Sequence, residues 1–127
     1  MVTGSVSHAR QPIVRILLLE VSGTPHEVDA VIDTRFNGSL TLPAATISLL
    51  GFSFRGRTSV SFADGRRDRC DIYAETVVWD GESRPVIVEA AETDALVGMR
   101  LMAGYKITIE NVDGGAVVLA PLERKTP

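Results

Sequence analysis

Cysteine is nearly absent from this chain: Cys70 stands alone among 127 residues. No intrachain disulfide can form, and a thiolate metal site has no second ligand. The only histidines, His8 and His26, have no partner at ligand spacing, so both are expected at the surface. No metal and no other cofactor is therefore expected. Basic charge is also in short supply. Thirteen Lys and Arg face sixteen Asp and Glu, for a formal net charge of −3. A nucleic-acid binder would carry a basic patch to meet phosphates. The run Arg66-Arg67-Asp68-Arg69 is too short and too mixed to supply one, and reads as a solvated turn. No apolar stretch approaches the roughly 20 residues that cross a bilayer. The segment from Met1 to Gln11 is polar and lacks the apolar core of a secretory signal. A lone thiol fits a reducing compartment. The expectation is a soluble, cytoplasmic protein with neither membrane nor nucleic acid as partner. Ser39, Ser48 and Ser53 lie in no Gly-x-Ser-x-Gly elbow, which argues against a serine hydrolase. Gly23, Gly65 and Gly114-Gly115 read as turn glycines without a phosphate-binding pattern.

What is present is strand chemistry. The length suits one domain, with residues 1–11 expected as a flexible lead and residues 12–127 as the folded unit. Ile13 to Val21 and His26 to Ile32 are β-branched and partly alternating, joined by Ser22-Gly23-Thr24-Pro25, the pattern of a hairpin. Ser39 to Leu42 reads as a short strand. Pro43 then opens about two helical turns over Ala44 to Leu50, which Gly51 ends. Thr58 to Phe62, Cys70 to Trp79 and Arg84 to Ala90 are extended, with turns at Ala63-Asp64-Gly65 and Asp80-Gly81. Thr93 to Ala103 carries helical spacing as far as Gly104. Tyr105 to Glu110 and Ala116 to Leu122 form a last hairpin. The fold class is mostly β, a small closed barrel with one or two short helices.

Asp33 sits where the apolar strand Val28-Asp29-Ala30-Val31-Ile32 ends. A carboxylate there is costly unless it is hydrogen-bonded or functional, so a turn cap and a catalytic acid both stay open. The string Ala30-Val31-Ile32-Asp33-Thr34-Arg35-Phe36-Asn37-Gly38-Ser39-Leu40-Thr41-Leu42-Pro43 resembles the active-site segment of retropepsin-like aspartic proteases, the small prokaryotic members above all. Ala63-Asp64-Gly65 follows where that family places the tip of its flap. Leu96-Val97-Gly98 resembles the family's second apolar-apolar-Gly element, which precedes a regular helix, here Met99 to Ala103.

The resemblance implies an aspartic endopeptidase. One Asp-Thr motif cannot supply two carboxylates, so two chains would meet on a two-fold axis, each giving Asp33 to a shared dyad. Thr34 would reach across that axis, Phe36, Asn37 and Gly38 would complete the active-site loop, and the flap would close over an extended peptide or protein substrate. The family's glycine is Arg35 here. Two outcomes are open. A guanidinium beside each carboxylate would keep both ionised and stall the chemistry, leaving a dimeric peptide-binding module. A side chain pointing away would only narrow specificity. Among other residues, Cys70 is expected to be a quiet thiol. Asp94 is a cap or a substrate-subsite acid, and Tyr73 and Trp79 are packing residues.

Overall fold

The computed structural model describes residues 1–20, 22–61, 67–92 and 94–123. In chain order the elements are β1 (Val2–Val6), β2 (Pro12–Leu19), β3 (Pro25–Ile32), β4 (Leu40–Pro43), α1 (Ala44–Leu50), β5 (Ser53–Ser61), β6 (Arg67–Trp79), β7 (Glu82–Ala91), β8 (Leu96–Val97), β9 (Tyr105–Ile109) and β10 (Ala116–Pro121). They form a ten-stranded sheet in the order β5-β6-β7-β4-β8-β3-β2-β1-β10-β9, and β6 pairs a second time, with β2. That second pairing, Leu17↔Val78 and Leu18↔Val77, closes β2, β3, β8, β4, β7 and β6 into a ring. The mostly β, barrel-like architecture is the one the alternation and turns imply.

The ring closes because each strand gives one face to a common interior. Val14, Ile16 and Leu18 of β2 alternate inward and are buried, as are Ala30 and Ile32 of β3, Leu40 and Leu42 of β4, Val77 and Trp79 of β6, and Val88 of β7. Burying one such aliphatic side chain stabilises the fold by roughly 1.5–3 kcal/mol. α1 is preceded by Pro43, at φ −58°, and is capped by Gly51 in the left-handed region at φ 67°. It packs Ile47 and Leu50 inward. Trp79 is buried and meets Tyr105 edge-on at 5.9 Å between ring centroids, while Tyr73 meets Phe54 in the same manner at 5.6 Å. Both act as packing residues.

Four features differ from the sequence expectation. Val2–Val6, read as part of a flexible lead, is a strand that pairs with both β10 and β2. Its cause is the Val2/Val6 spacing, which puts two buried side chains on one face of an otherwise polar pentapeptide. Of Thr93 to Ala103, expected at helical spacing, Leu96–Val97 is strand β8, and Met99 to Ala103 is a chain of turns in which Met102 N–H reaches Gly98 O at 3.2 Å while Ala103 N–H reaches only back to Arg100. Gly104, at φ 86°, then ends it before a second full turn can form. β5 starts at Ser53 rather than Thr58, because pairing with β6 carries the polar Ser53 to Arg57 stretch into the ladder. Arg67–Arg69 opens β6 instead of lying in a turn. Ala63, Asp64 and Gly65, the expected flap tip, and Arg66 lie outside the described residues.

Candidate functional site

Asp33 follows the last residue of β3, where parallel pairing with β8 sets Ile32 beside Val97. Three backbone bonds fix the carboxylate's position. Val31 N–H donates to Ala95 O at 2.9 Å, Asp33 N–H donates to Val97 O at 3.0 Å, and Phe36 N–H donates to Asp33 O at 3.2 Å. The Asp33 side chain is 18% exposed, half-sheltered at the mouth of the ring. Its Oδ1 accepts the Arg35 N–H at 2.9 Å, an Asx turn that tightens the loop.

Gly98 holds the second side of the site. Its N–H donates to Ser39 O at 3.0 Å, and Met99 and Arg100 N–H donate to Phe36 O at 2.8 Å and Gly38 O at 3.1 Å. The segments 33–39 and 96–100 are thus laced together by main-chain bonds. A Cβ on Gly98 would lie 2.2 Å from Gly38 O and 2.5 Å from the Phe36 ring, and a Cβ on Gly38 would lie 2.6 Å from the same ring. Two glycines and one aromatic ring make this close approach possible. The structure therefore brings together Asp33, Thr34, Arg35, Phe36, Asn37 and Gly38 with Leu96, Val97 and Gly98. Thr34 is exposed beside Asp33.

Arg35 lies close to Asp33 within the single chain. Its Nε lies 3.4 Å from Asp33 Oδ1 while most of the guanidinium stays in water, with the side chain 87% exposed. The cation turns toward the carboxylate rather than away from it.

Sequence reasoning passed over Thr41, Glu89 and Arg100. Thr41 is buried and its Oγ1 accepts the Leu96 N–H at 3.0 Å, tying β4 to β8 behind the site. The signal was a lone hydroxyl in Leu40-Thr41-Leu42, which a buried strand tolerates only with a partner. A groove of about 760 Å³ runs from the Asn37–Ser39 loop along β7. Burial pushes the Glu89 carboxyl up within it, and the Arg100 charge opposes that rise. A smaller hollow of about 340 Å³ lies along β3 and includes Asp29 and the exposed Asp94. Asp29 is held by Arg15 at 3.1 Å. Among the described residues Asp94 adjoins no helix. His8 is exposed beside Asp113 at 3.3 Å, and His26 lies 4.0 Å from Glu20. Among the described residues no group of three or more His, Cys, Asp or Glu is placed to hold a metal ion. None of their helices is long and apolar enough to cross a membrane.

No protein-family profile matches the chain, and no curated protein sequence matches it. Among solved structures, the fold is similar to the crystal structure of a retropepsin-like aspartic protease from Rickettsia conorii. The TM-score is 0.54 at 16% sequence identity, over 91% of this chain and 88% of that one. At that identity the likeness is one of fold, and the chain has a retropepsin-like fold.

Proposed function

We propose that this chain is one subunit of a homodimeric aspartic endopeptidase, with Asp33 of each copy forming a shared dyad and Arg35 restraining it. The observation that carries the reading is the placement of Asp33. A half-sheltered carboxylate ends an apolar strand and is laced by main-chain bonds to the Leu96-Val97-Gly98 segment, in a fold shared with an aspartic protease.

Two carboxylates about 3 Å apart share one proton, as in aspartic proteases generally. The ionised partner takes a proton from water as the oxygen attacks the peptide carbonyl carbon. The protonated partner gives its proton to the carbonyl oxygen. As the resulting diol collapses, one of its hydroxyls gives its proton to the ionised carboxylate, the C–N bond breaks, and the leaving nitrogen takes a proton from the protonated carboxylate. Thr34 bonds the second copy across the axis, and the substrate is an extended peptide or protein.

The alternative reading is a peptide-binding module without turnover. The contact between Arg35 Nε and Asp33 Oδ1 favours it, because a cation on each carboxylate stabilises the doubly charged dyad. Digestion of a peptide library by wild type and Asp33→Asn separates the two. Cleavage by wild type that the variant loses by a factor of about 10³ or more, and that a statine-type inhibitor blocks, supports the peptidase. Peptide binding by wild type with no cleavage between pH 3 and 7 would establish the module instead.

A further inference from the structure

Polar side chains that the proposed chemistry does not use converge on the groove of about 760 Å³ along β7. Its lining begins at Asn37, past Asp33, Thr34 and Arg35, so the groove adjoins the candidate site without including its carboxylate. Strand alternation sets one wall. Val88 of β7 and Leu40 of β4 are paired and fully buried in the ring, so Ile87 and Glu89 on one strand and Thr41 on the other face the opposite way. Thr41 Oγ1 is occupied by the Leu96 N–H. Two other groups are not occupied. Ser39, in the lining, is 8% exposed, and among the described residues neither its hydroxyl nor the Glu89 carboxylate has a hydrogen-bond or ion-pair partner. Gly38 leaves that carboxylate open toward the Asp33 loop, since a Cβ there would lie 3.6 Å from Glu89 Oε2. Arg100 sits at the exposed rim and forms no ion pair with Glu89. Val86 and the 46% exposed Ile87 give an apolar surface beside these groups. A half-buried carboxylate without a partner is costly as an anion, and burial accordingly pushes Glu89 up. A cation beside it would replace the lost hydration.

We infer that Glu89 is a specificity-determining residue and that this groove takes a basic side chain, lysine or arginine, of a bound peptide. The ammonium or guanidinium donates to the Glu89 oxygens and to Ser39 Oγ, all of which accept N–H donors. The methylene stem lies along Val86 and Ile87, as long cationic side chains do on apolar surface. An acidic side chain fits worse. Its way to Arg100 brings it beside the like charge of Glu89, and an exposed guanidinium, already hydrated, gains little from a partner. Arg100 instead opposes the incoming cation from the rim, which gives its removal a sign: binding of a basic residue strengthens. The inference rests on the proposed function for the peptide character of the ligand; the match between an unpartnered carboxylate and a cation stands without cleavage.

Binding and cleavage are tested separately with one pool of random hexapeptides. The full chain carrying Asp33→Asn, which keeps the groove and lacks the proposed catalytic acid, is equilibrated with the pool, and the bound peptides are sequenced by mass spectrometry. Lys and Arg are expected to be enriched about tenfold over Gln and Leu. Adding Glu89→Gln, which keeps the side-chain volume, should abolish the enrichment. Glu123→Gln, at an exposed carboxylate outside the groove, makes the same change in net charge and should preserve it. Arg100→Gln should raise it by a factor of about 2. In digests by wild type, cleaved peptides should carry Lys or Arg at one fixed distance from the broken bond, a preference that Glu89→Gln loses. Enrichment that Glu123→Gln lowers as much as Glu89→Gln does is an effect of net charge and overturns the groove. Enrichment of Asp and Glu that Arg100→Gln abolishes overturns it too. Asp33-dependent cleavage with no preference for a basic residue overturns the groove and leaves the peptidase standing. Enrichment that depends on Glu89, with no cleavage by wild type, supports the groove and counts against the peptidase.

Discussion

At the scale of single residues, Arg35 is the residue on which the proposed dyad turns. Its N–H and its Nε both address Asp33 Oδ1, at 2.9 and 3.4 Å. The first contact is main-chain, so any residue but proline keeps it, and glycine would remove only the second. In the proposed dimer, taking a guanidinium from each copy would let the dyad regain its single proton and would clear the turn on the substrate side. Arg35→Gly is expected to raise peptidase rates by an order of magnitude or so near pH 5. It is also expected to give a bell-shaped pH–rate profile, where wild type improves only as pH falls. Stopped assays across pH 3–7 check this, and superimposable profiles would show that the guanidinium does not act on the dyad. The position of Asp33 was legible in the sequence because a carboxylate ending an apolar strand is conspicuous. The direction of Arg35 was not, since a long side chain beside a turn has rotamers that face either way.

At the scale of elements, the site is a place where two loops share backbone. Phe36 lies against both Gly38 and Gly98, and Gly98 admits no side chain without moving Gly38 O. Gly98→Ala is therefore expected to destabilise the fold by roughly 3 kcal/mol or more, with Asp33-dependent activity falling in parallel. Urea midpoints beside those of a control such as Gly23→Ala, where a Cβ meets open space but strained φ, separate the close contact from the cost of a left-handed backbone. Apolar-apolar-Gly was readable in Leu96-Val97-Gly98, yet its reason was not, because the crowding comes from residues far away in the chain. The same limit hid β1. Val2 and Val6 are too few to announce a strand, and only the edges of β2 and β10 make one of them. The Met99–Ala103 turns misled in the other direction. Their spacing is helical, but the chain must reach β9 within a few residues, and tertiary connection overrides local preference.

At the scale of the molecule, one carboxylate links distant parts of the chain. Asp80, in the turn between β6 and β7, accepts from the Met1 ammonium and, at 2.9 Å, from the Tyr105 hydroxyl. The ammonium first and the tyrosine second hold its carboxyl below the usual carboxylate range. A carboxyl depressed by folding contributes stability that is complete above its unfolded value, about 3.9, and is lost as pH falls through the lower folded value. Wild type is thus expected to lose stability on acidification below about pH 4 more steeply than Asp80→Asn. Urea denaturation at pH 7, 5 and 3 measures the difference, and parallel losses in the two proteins would remove Asp80 from the account. The ring as a whole was legible as a fold class, through alternation and turn spacing. Its closure through Leu17 and Leu18 against Val77 and Val78 was not, because two residue pairs leave no mark in sequence beyond ordinary strand hydrophobicity.

The parallel pairing of β3 with β8 also governs when the site comes into being. Val31 and Ile32 have no partner there until Leu96 and Val97 have been synthesised and threaded beside them. Parallel contacts between remote segments incur their loop-closure entropy before any ladder forms, and this slows folding. The early hairpin β2–β3 can assemble from local chain alone, while the Asp33 loop waits for the last third of the sequence. In stopped-flow refolding, substitutions in β2 such as Leu18→Ala are expected to slow the folding limb. A change at Thr41, such as Thr41→Val, is expected to act mainly on unfolding. A nascent or truncated chain ending before Leu96 would therefore carry Asp33 without a site around it.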